Sequence, residues 1–288
     1  MLLKASMDFM YEQRQPFTFL MPASPQIYEP YQFVYIYDKK KYKAEWPLLV
    51  GLQKQWEITV LKEDEIPRLT DYVNRYLKEN HDVFMRRDEA YYKTIIKELK
   101  VQNGAIYLVR ERENGPADGR IAGYFLYTEE GGKSDIQEAV LDSSGLLGSG
   151  GFLEEAGDKP VIMARIVNVQ AMLSLLRIKQ PDLDSGDEIR RESGIELTIG
   201  ISDPMIEGNN GVWECRISRE EAFARKKMQT EDSPSCSITA DKLTSWIFGY
   251  KTPEECFVFT EKEEKKKEIL YKLKSIRVFS NVLINEIV

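Results

Sequence analysis

The side chains that most often serve as nucleophiles, bases and metal ligands are scarce in this sequence. It holds one histidine, His81, and three cysteines, Cys215, Cys236 and Cys256, with no CxxC spacing. No Ser-His-Asp or Cys-His pairing is readable, and His81 lies in the polar segment 80–82, which favours a surface role. We therefore predict reduced, mostly buried thiols, with neither a disulfide framework nor a metal site.

A glycine-rich segment at 145–151 invites comparison with a phosphate-binding loop. Such a loop must open a helix, so that backbone N–H groups and the helix dipole face the anion. Only a short stretch separates this segment from Pro160. The context therefore favours a flexible linker over a nucleotide-binding loop.

Apolar periodicity predicts the elements at the start of the chain. A helix with one buried face is followed by strands at 17–21 and 33–37, and Ser24-Pro25 opens a brief helix between them. The buried face of the first helix consists of Leu3, Met7 and Met10. Fewer than about 45 residues rarely form a stable domain, so we expect this fragment to pack against later parts of the chain.

The middle of the chain predicts strand, two helices and an antiparallel hairpin. The strand is 56–60, Asp64 is the expected N-cap of the first helix, and a second helix follows Asp88. The first helix has one apolar stripe, formed by Ile66, Leu69, Val73 and Leu77. The hairpin pairs residues 105–111 with 120–127, and another strand is expected at 135–142.

The last part alternates strands and helices and ends in an apolar tail. Asn168 should cap a helix after a strand at 161–167, and residues 195–201 alternate as a half-buried strand. Thr260 with Glu263 has the spacing of a capping box. The tail contains Val278, Phe279, Val282, Leu283, Ile284, Ile287 and Val288. Termini are usually polar, so we expect this tail to be buried.

Chain length and net charge limit the classes of protein to which this sequence can belong. At 288 residues the chain suits about two domains, and a net charge of −7 argues against non-specific nucleic-acid binding. No apolar run approaches the roughly 20 residues needed to cross a bilayer. We expect a cytoplasmic protein that binds neither nucleic acid nor membrane.

Three motifs resemble proteins of the Eis type of N-acetyltransferase. Residues 16–23 followed by 27–33 closely resemble the end of the first acetyltransferase module of that family. Residues 163–169 resemble the start of its sterol-carrier-like domain, and residues 284–288 resemble its terminus. Together these motifs extend the resemblance over nearly the whole chain.

The resemblance implies an α/β (α+β) architecture, with incomplete GNAT-like modules followed by a sterol-carrier-like α+β domain. The implied parts are 1–45, the remnant of a first GNAT module; 46–142, a degenerate second module; 143–159, a linker; and 160–288, the sterol-carrier-like domain. Members of the family assemble as oligomers, so a homo-oligomer is expected.

The resemblance also implies transfer of acetyl from acetyl-CoA to an amine, either a lysine or an aminoglycoside-like molecule. The pyrophosphate loop of that family would lie just ahead of Leu2, where the sequence has no counterpart. We therefore expect weak acetyl-CoA binding and impaired transfer by this chain. The alternatives are a non-catalytic scaffold and a sterol-carrier-like protein that binds an apolar ligand.

Candidate site residues come from the same resemblance. The tyrosine that protonates the leaving thiolate in that family is replaced here by Phe33, which has no proton to give. Tyr28, Tyr31 and Tyr35 are nearby substitutes, although aromatic clusters of this kind are often core.

The resemblance places acetyl-CoA near Ser24 and Tyr28, and it makes the terminal carboxylate of Val288 the general base. The tail could instead only complete a sheet or pack on its neighbour. Glu29, Glu45 and Glu286 could attract a cationic amine or be ordinary surface groups.

Overall fold

The computed structural model describes residues 2–44, 56–111, 119–130, 133–142, 153–180, 194–228, 234–260 and 262–285. Helices and strands alternate along these ranges, which confirms the mixed α/β class. Within them, every helix is too short or too polar to cross a bilayer.

The α-helices of the described residues are α1 Leu2–Glu12, α2 Ile66–Asn80, α3 Glu89–Val101, α4 Val169–Leu173, α5 Ala240–Ile247, α6 Pro253–Cys256 and α7 Glu263–Ser275. The strands are β1 Phe17–Leu20, β2 Val34–Ala44, β3 Trp56–Val60, β4 Val83–Phe84, β5 Ala105–Glu111, β6 Ile121–Glu130, β7 Lys133–Leu141, β8 Leu153–Ile166, β9 Arg177–Ile178, β10 Gly194–Ser202, β11 Gly211–Ser218, β12 Ala222–Lys226, β13 Cys236–Thr239, β14 Val258–Phe259, β15 Ile276–Arg277 and β16 Val282–Leu283.

Contacts divide the chain into two compact units. The first unit contains the chain up to Tyr37 and residues Val161–Val282. The second unit contains Asp38–Pro160 and, near the end of the sequence, Leu283–Asn285 of the described residues. The four boundaries that the resemblance implies remain a prediction, because contacts group residues by shared core and do not identify modules.

The second unit is built on antiparallel strands. β3 pairs with β5, β5 with β6 and β6 with β7, which includes the predicted hairpin. Helices α2 and α3 pack on this sheet, and the stripe predicted on α2 is completely buried. Removing each such side chain from water contributes roughly 1.5–3 kcal/mol, so this packing holds the helices in place.

The first unit contains a sheet in the order β12-β11-β10-β13-β14. β10 has the predicted alternation, with the side chains of Ile195, Leu197, Ile199 and Ile201 buried. Helix α5 ends at Ile247, and Gly249 follows with a φ of +69°, which glycine adopts without strain. On the same helix, Trp246 packs edge-on against Phe257 with ring centroids 4.9 Å apart.

The amino-terminal fragment shares its core with the rest of the first unit. Met7 of α1 and Phe33 are buried in a cluster with Met163, Val167 and Ile206. β1 pairs antiparallel with β8, and Phe17 lies opposite Ile166. The fragment therefore packs on later parts of the chain, as its small size predicts.

The caps predicted at Asp88 and Asn168 are confirmed, but two other predicted caps are wrong. The Asp88 carboxylate accepts a hydrogen bond from Tyr91 N at 2.7 Å, and Asn168 Oδ1 accepts one from Ala171 N at 2.9 Å. Asp64 instead lies inside a 3₁₀ turn ahead of α2. The Thr260 hydroxyl donates to the Pro234 carbonyl at 3.3 Å, so a distant partner replaces the predicted capping box.

Within the segment 143–159, which stays a predicted linker, β8 begins at Leu153. Residues 157–160 are exposed, so this part of the strand lacks the apolar alternation that sequence reasoning relies on. Gly157 has a φ of +117°, a conformation that glycine adopts without strain. The glycine-rich segment at 145–151 lies outside the described residues.

We expect Leu77→Ala to lower the free energy of unfolding by about 2–5 kcal/mol, because it leaves a cavity under α2. Leu77 is 0% exposed, whereas the neighbouring Lys78 is exposed. Urea denaturation should therefore show a change of less than about 0.5 kcal/mol for Lys78→Ala. Equal losses of unfolding free energy for the two variants would contradict the assignment of Leu77 to the buried face of α2.

Candidate functional site

The segment that carries the candidate tyrosines is formed by two 3₁₀ turns, Pro25–Ile27 and Glu29–Tyr31. Each turn has a proline near its start, which sets φ for the helical backbone. Gln32 ends the second turn with a φ of +63°, and its N–H donates to Glu29 O at 2.8 Å. The chain thus reverses sharply between β1 and β2.

The three tyrosines differ in their surroundings. Tyr28 and Tyr35 are partly buried and pack on the cluster around Met7 and Phe33. Tyr28 meets the Phe33 ring edge-on, with centroids 6.0 Å apart. Tyr31 is 37% exposed. Tyr31 is therefore the tyrosine most accessible to a substrate, and its role as proton donor remains a prediction.

Arg165 fixes the backbone of the segment that carries the tyrosines. Its Nη1 donates to the Tyr31 carbonyl at 2.7 Å, and its Nη2 donates to Asp203 Oδ1 at 2.5 Å. Neither side chain of this ion pair is exposed. A buried charge needs a partner, so the position of the turn depends on the Arg165–Asp203 pair.

Asp203 is in turn held by several donors. Its Oδ1 also accepts hydrogen bonds from the backbone N–H groups of Met205 and Ile206, at 2.9 and 3.0 Å. Its Oδ2 accepts one from Asn209 Nδ2 at 2.8 Å, and Asn209 Nδ2 also donates to Val167 O at 2.8 Å. This network joins the 163–169 motif to the loop that begins at Asp203.

Sequence reasoning missed Asp203 and Asn209 as site residues. Both lie in the turn-rich segment between β10 and β11, where polar residues are common. Their only sequence signal is that Asp and Asn side chains often bond the backbone a few residues away. The partner of Asp203 lies 38 residues earlier, beyond the reach of any local pattern.

The residues around the expected cofactor site fit an acyl-CoA in part. Ser24 Oγ bonds the side chain of Gln26, and the turn that begins at Pro25 is only three residues long. The first turn of α1 contains no acidic residue, and its Lys4 pairs with Asp8 at 2.8 Å. A pyrophosphate suits such a helix end chemically.

The other chemically interesting residues take structural positions. Cys215, Cys236 and Cys256 are free and buried, and burial raises the pKa of Cys256 to about 11. Such thiols are poor nucleophiles at neutral pH. His81 is half-buried with its ring centroid 6.1 Å from that of Tyr76, and burial lowers its pKa.

The remaining candidate groups are only partly within the described residues. Val282 and Ile284 of the tail are buried, as the apolar composition predicts. The general base expected at Val288 lies outside the described residues, as do Glu45 and Glu286. Glu29 is exposed to solvent. The role of the three acids in attracting a cationic amine remains a prediction.

We expect Arg165→Met to lower the free energy of unfolding by about 3–5 kcal/mol, because it leaves the Asp203 carboxylate buried without its counter-charge. The same substitution at Arg216 is the control. Its pair with Glu196 is 67% and 73% exposed, so the cost should be at most about 1 kcal/mol. Urea denaturation measures both, and similar losses would contradict the assigned role of Arg165.

Comparison with known proteins supports both parts of the resemblance. Residues 169–276 match the profile of the sterol carrier protein domain family. Sequence comparison with curated proteins gives no match. These 108 residues cover less than half of the chain, so the profile describes one domain only.

Solved structures extend the similarity over nearly the whole chain. A GCN5-related N-acetyltransferase from Anabaena variabilis has a TM-score of 0.68 at 15% identity, covering 97% of this chain and 74% of that one. One from Kribbella flavida has a TM-score of 0.67 at 11% identity, covering 98% and 74%. Eis1 from Mycobacterium abscessus has a TM-score of 0.61 at 10% identity, covering 99% and 76%. The chain therefore has the fold of GCN5-related N-acetyltransferases such as Eis1 and contains a sterol carrier protein domain, as its motifs indicate.

Proposed function

We propose that this chain is part of an Eis-type acetyltransferase that transfers acetyl from acetyl-CoA to an amine, either a lysine or an aminoglycoside-like molecule. The observation that carries the proposal is the fold, shared over 97–99% of the chain with two GCN5-related N-acetyltransferases and Eis1. Homo-oligomeric assembly is part of the same proposal.

The chemistry requires two proton transfers. The amine forms the new C–N bond with the acetyl carbon while the C–S bond breaks, and no acyl-enzyme is needed. Acetyl-CoA supplies the activated thioester. The Val288 carboxylate takes the proton that the amine loses, and a tyrosine hydroxyl gives one to the departing sulfur. A terminal carboxylate has a pKa of about 3.5 in water, so desolvation has to raise it for this task.

Among the candidate proton donors we favour Tyr31. Its side chain is 37% exposed, while Tyr28 and Tyr35 pack on the buried cluster around Met7 and Phe33. The Arg165 guanidinium holds its carbonyl oxygen at 2.7 Å, so the backbone of this residue is fixed. A fixed backbone with an accessible hydroxyl suits a group that must meet a leaving atom.

We expect Tyr31→Phe to lower kcat roughly 100-fold, because a general acid typically contributes that much or more. Tyr28→Phe and Tyr35→Phe should change kcat less than about threefold on the same reasoning. Tyr250, which is 40% exposed in the first unit, provides the control variant Tyr250→Phe. Release of free CoA with an aminoglycoside or a lysine peptide measures turnover, and an unaffected Tyr31→Phe variant rules out this donor.

We expect calorimetry to detect only weak binding of acetyl-CoA to the 288-residue chain, because the glycine loop that anchors the pyrophosphate has no counterpart in this sequence. A micromolar dissociation constant for acetyl-CoA would contradict the proposal that the cofactor site of this chain is impaired. Mass spectrometry should still detect acetylated amine at high acetyl-CoA concentration. Absence of product with every amine in the panel would contradict acetyl transfer by this chain and leave the scaffold and the apolar-ligand alternatives.

A second candidate function is the binding of an apolar ligand by the sterol carrier protein domain. The observation that favours it is a cavity of about 300 Å³ within the first unit. Its walls are mostly small and apolar, and Lys242 is the one charged residue among those that the structure shows lining it. They are formed by Gly200, Ile201, Ser202, Gly211, Val212, Ser237, Ile238, Thr239, Lys242, Cys256 and Val258.

We expect a fluorescent fatty acid to bind this cavity saturably, and Ile238→Trp to abolish binding by filling it. Phe223→Trp adds the same ring at a residue that is 55% exposed, so it controls for the new fluorophore. A signal that does not saturate, or that survives Ile238→Trp, would exclude the cavity as the binding site.

A further inference from the structure

The second unit contains a buried ion pair that the proposed chemistry does not use. Arg87 and Glu138 have side chains 1% and 3% exposed. Their contact is bidentate, with Nη1 to Oε1 at 2.5 Å and Nη2 to Oε2 at 2.7 Å. Two parallel hydrogen bonds between planar groups add geometric specificity to the ion pair.

Several hydrogen bonds keep the Glu138 carboxylate ionised. Burial alone would raise its pKa, but the Arg87 charge and hydrogen bonds from Arg87, Tyr124 and Asn285 together lower the pKa. Tyr124 lies on β6 and is itself fully buried, and its hydroxyl donates to Glu138 Oε1. The carboxylate is therefore a fixed negative charge inside the unit.

The C-terminal segment reaches this charge. Asn285 Nδ2 donates to Glu138 Oε2 at 2.9 Å and to the backbone carbonyl of Gln137 at 3.2 Å. Leu283 packs on the apolar core of the second unit, and Ile284 is 1% exposed. Apolar packing is not directional, whereas the two hydrogen bonds of the amide fix both its position and its orientation.

Apolar burial alone would not select one register for this segment. Leu283 and Ile284 are similar apolar side chains, so a shift of the segment along the chain would exchange one for the other at modest cost. A shift would also remove the Asn285 amide from Glu138 and leave a buried charge with one donor fewer. The amide therefore adds a directional constraint on the register to the backbone pairing of β16 with β4.

We propose that Asn285 is a positioning residue, which fixes the segment Leu283–Asn285 by bridging Glu138 and Gln137. Val288, the expected general base, comes three residues after Asn285 in the sequence. A contribution of Asn285 to acetyl transfer, by helping to position Val288, therefore rests on the proposed function. We call the two hydrogen bonds from Asn285 to Glu138 and Gln137 the clamp. The clamp can be tested without any measurement of activity.

Hydrogen exchange on the whole protein provides the first test. In Asn285→Ala we expect the amides in peptides that contain Leu283–Asn285 to exchange roughly tenfold faster or more, because a hydrogen bond to a charged group is lost. Ser280→Ala changes an exposed polar residue just ahead of this segment and should leave these peptides unchanged. Peptides from α2 and α3 report whether the unit remains folded.

A second variant separates positioning from general destabilisation. In Asn285→Asp the introduced carboxyl faces Glu138, so the tail should be released at neutral pH. When that carboxyl is protonated at lower pH it can donate to Glu138, and protection should return relative to wild type at the same pH. Other charged or titratable groups in this environment are Arg87, Tyr92, Tyr124, Lys39, Asp135 and His81, and all are common to both proteins.

The outcomes separate the clamp from the reaction. Unchanged exchange in Asn285→Ala, or no pH-dependent recovery in Asn285→Asp, would overturn the clamp whatever the turnover. If exchange changes as expected and kcat falls with KM nearly constant, both proposals are supported. If exchange changes while turnover of a demonstrably active protein does not, the clamp stands and the Val288 carboxylate is not the base.

Discussion

The ion pair between Arg165 and Asp203 is the constraint on which the candidate site depends. Both side chains are completely buried, so each charge is tolerable only because the other is present. The second amino group of Arg165 donates to the Tyr31 carbonyl. The Asp203 carboxylate also accepts a hydrogen bond from the backbone N–H of Ile206, which holds the loop that begins at Asp203. A single guanidinium thus relates three chain segments that are far apart in sequence.

The second unit applies the same principle to a different purpose. There the pair is Arg87 with Glu138, and the segment that it holds is the C-terminal tail, reached through Asn285. In both units apolar packing supplies most of the stabilisation, while one buried arginine decides where a particular segment lies. Removing either arginine would therefore affect geometry as well as stability.

Sequence patterns predicted the features that depend on near neighbours. The stripe on α2, the caps at Asp88 and Asn168, and the alternation of β10 were all readable, because each rests on residues at most a few turns apart. The resemblance further predicted the shared fold, at identities of only 10–15%.

The buried charge pairs were not predictable. Arg87 and Glu138 are 51 residues apart, and Arg165 and Asp203 are 38 apart. An arginine in a sequence is normally assigned to the surface, so nothing local marks these as core. Thr260 shows the same limit on a smaller scale, because its hydroxyl bonds a carbonyl on a distant loop instead of the adjacent helix.

The pairing of β1 with β8 has a consequence for synthesis. Leu20 lies opposite Met163, so the partner strand is made about 140 residues later. At the usual rate of translation the first strand leaves the ribosome on the order of ten seconds before that partner exists. During this interval its backbone donors and acceptors are an open sheet edge, which other nascent chains can join unless a chaperone covers it.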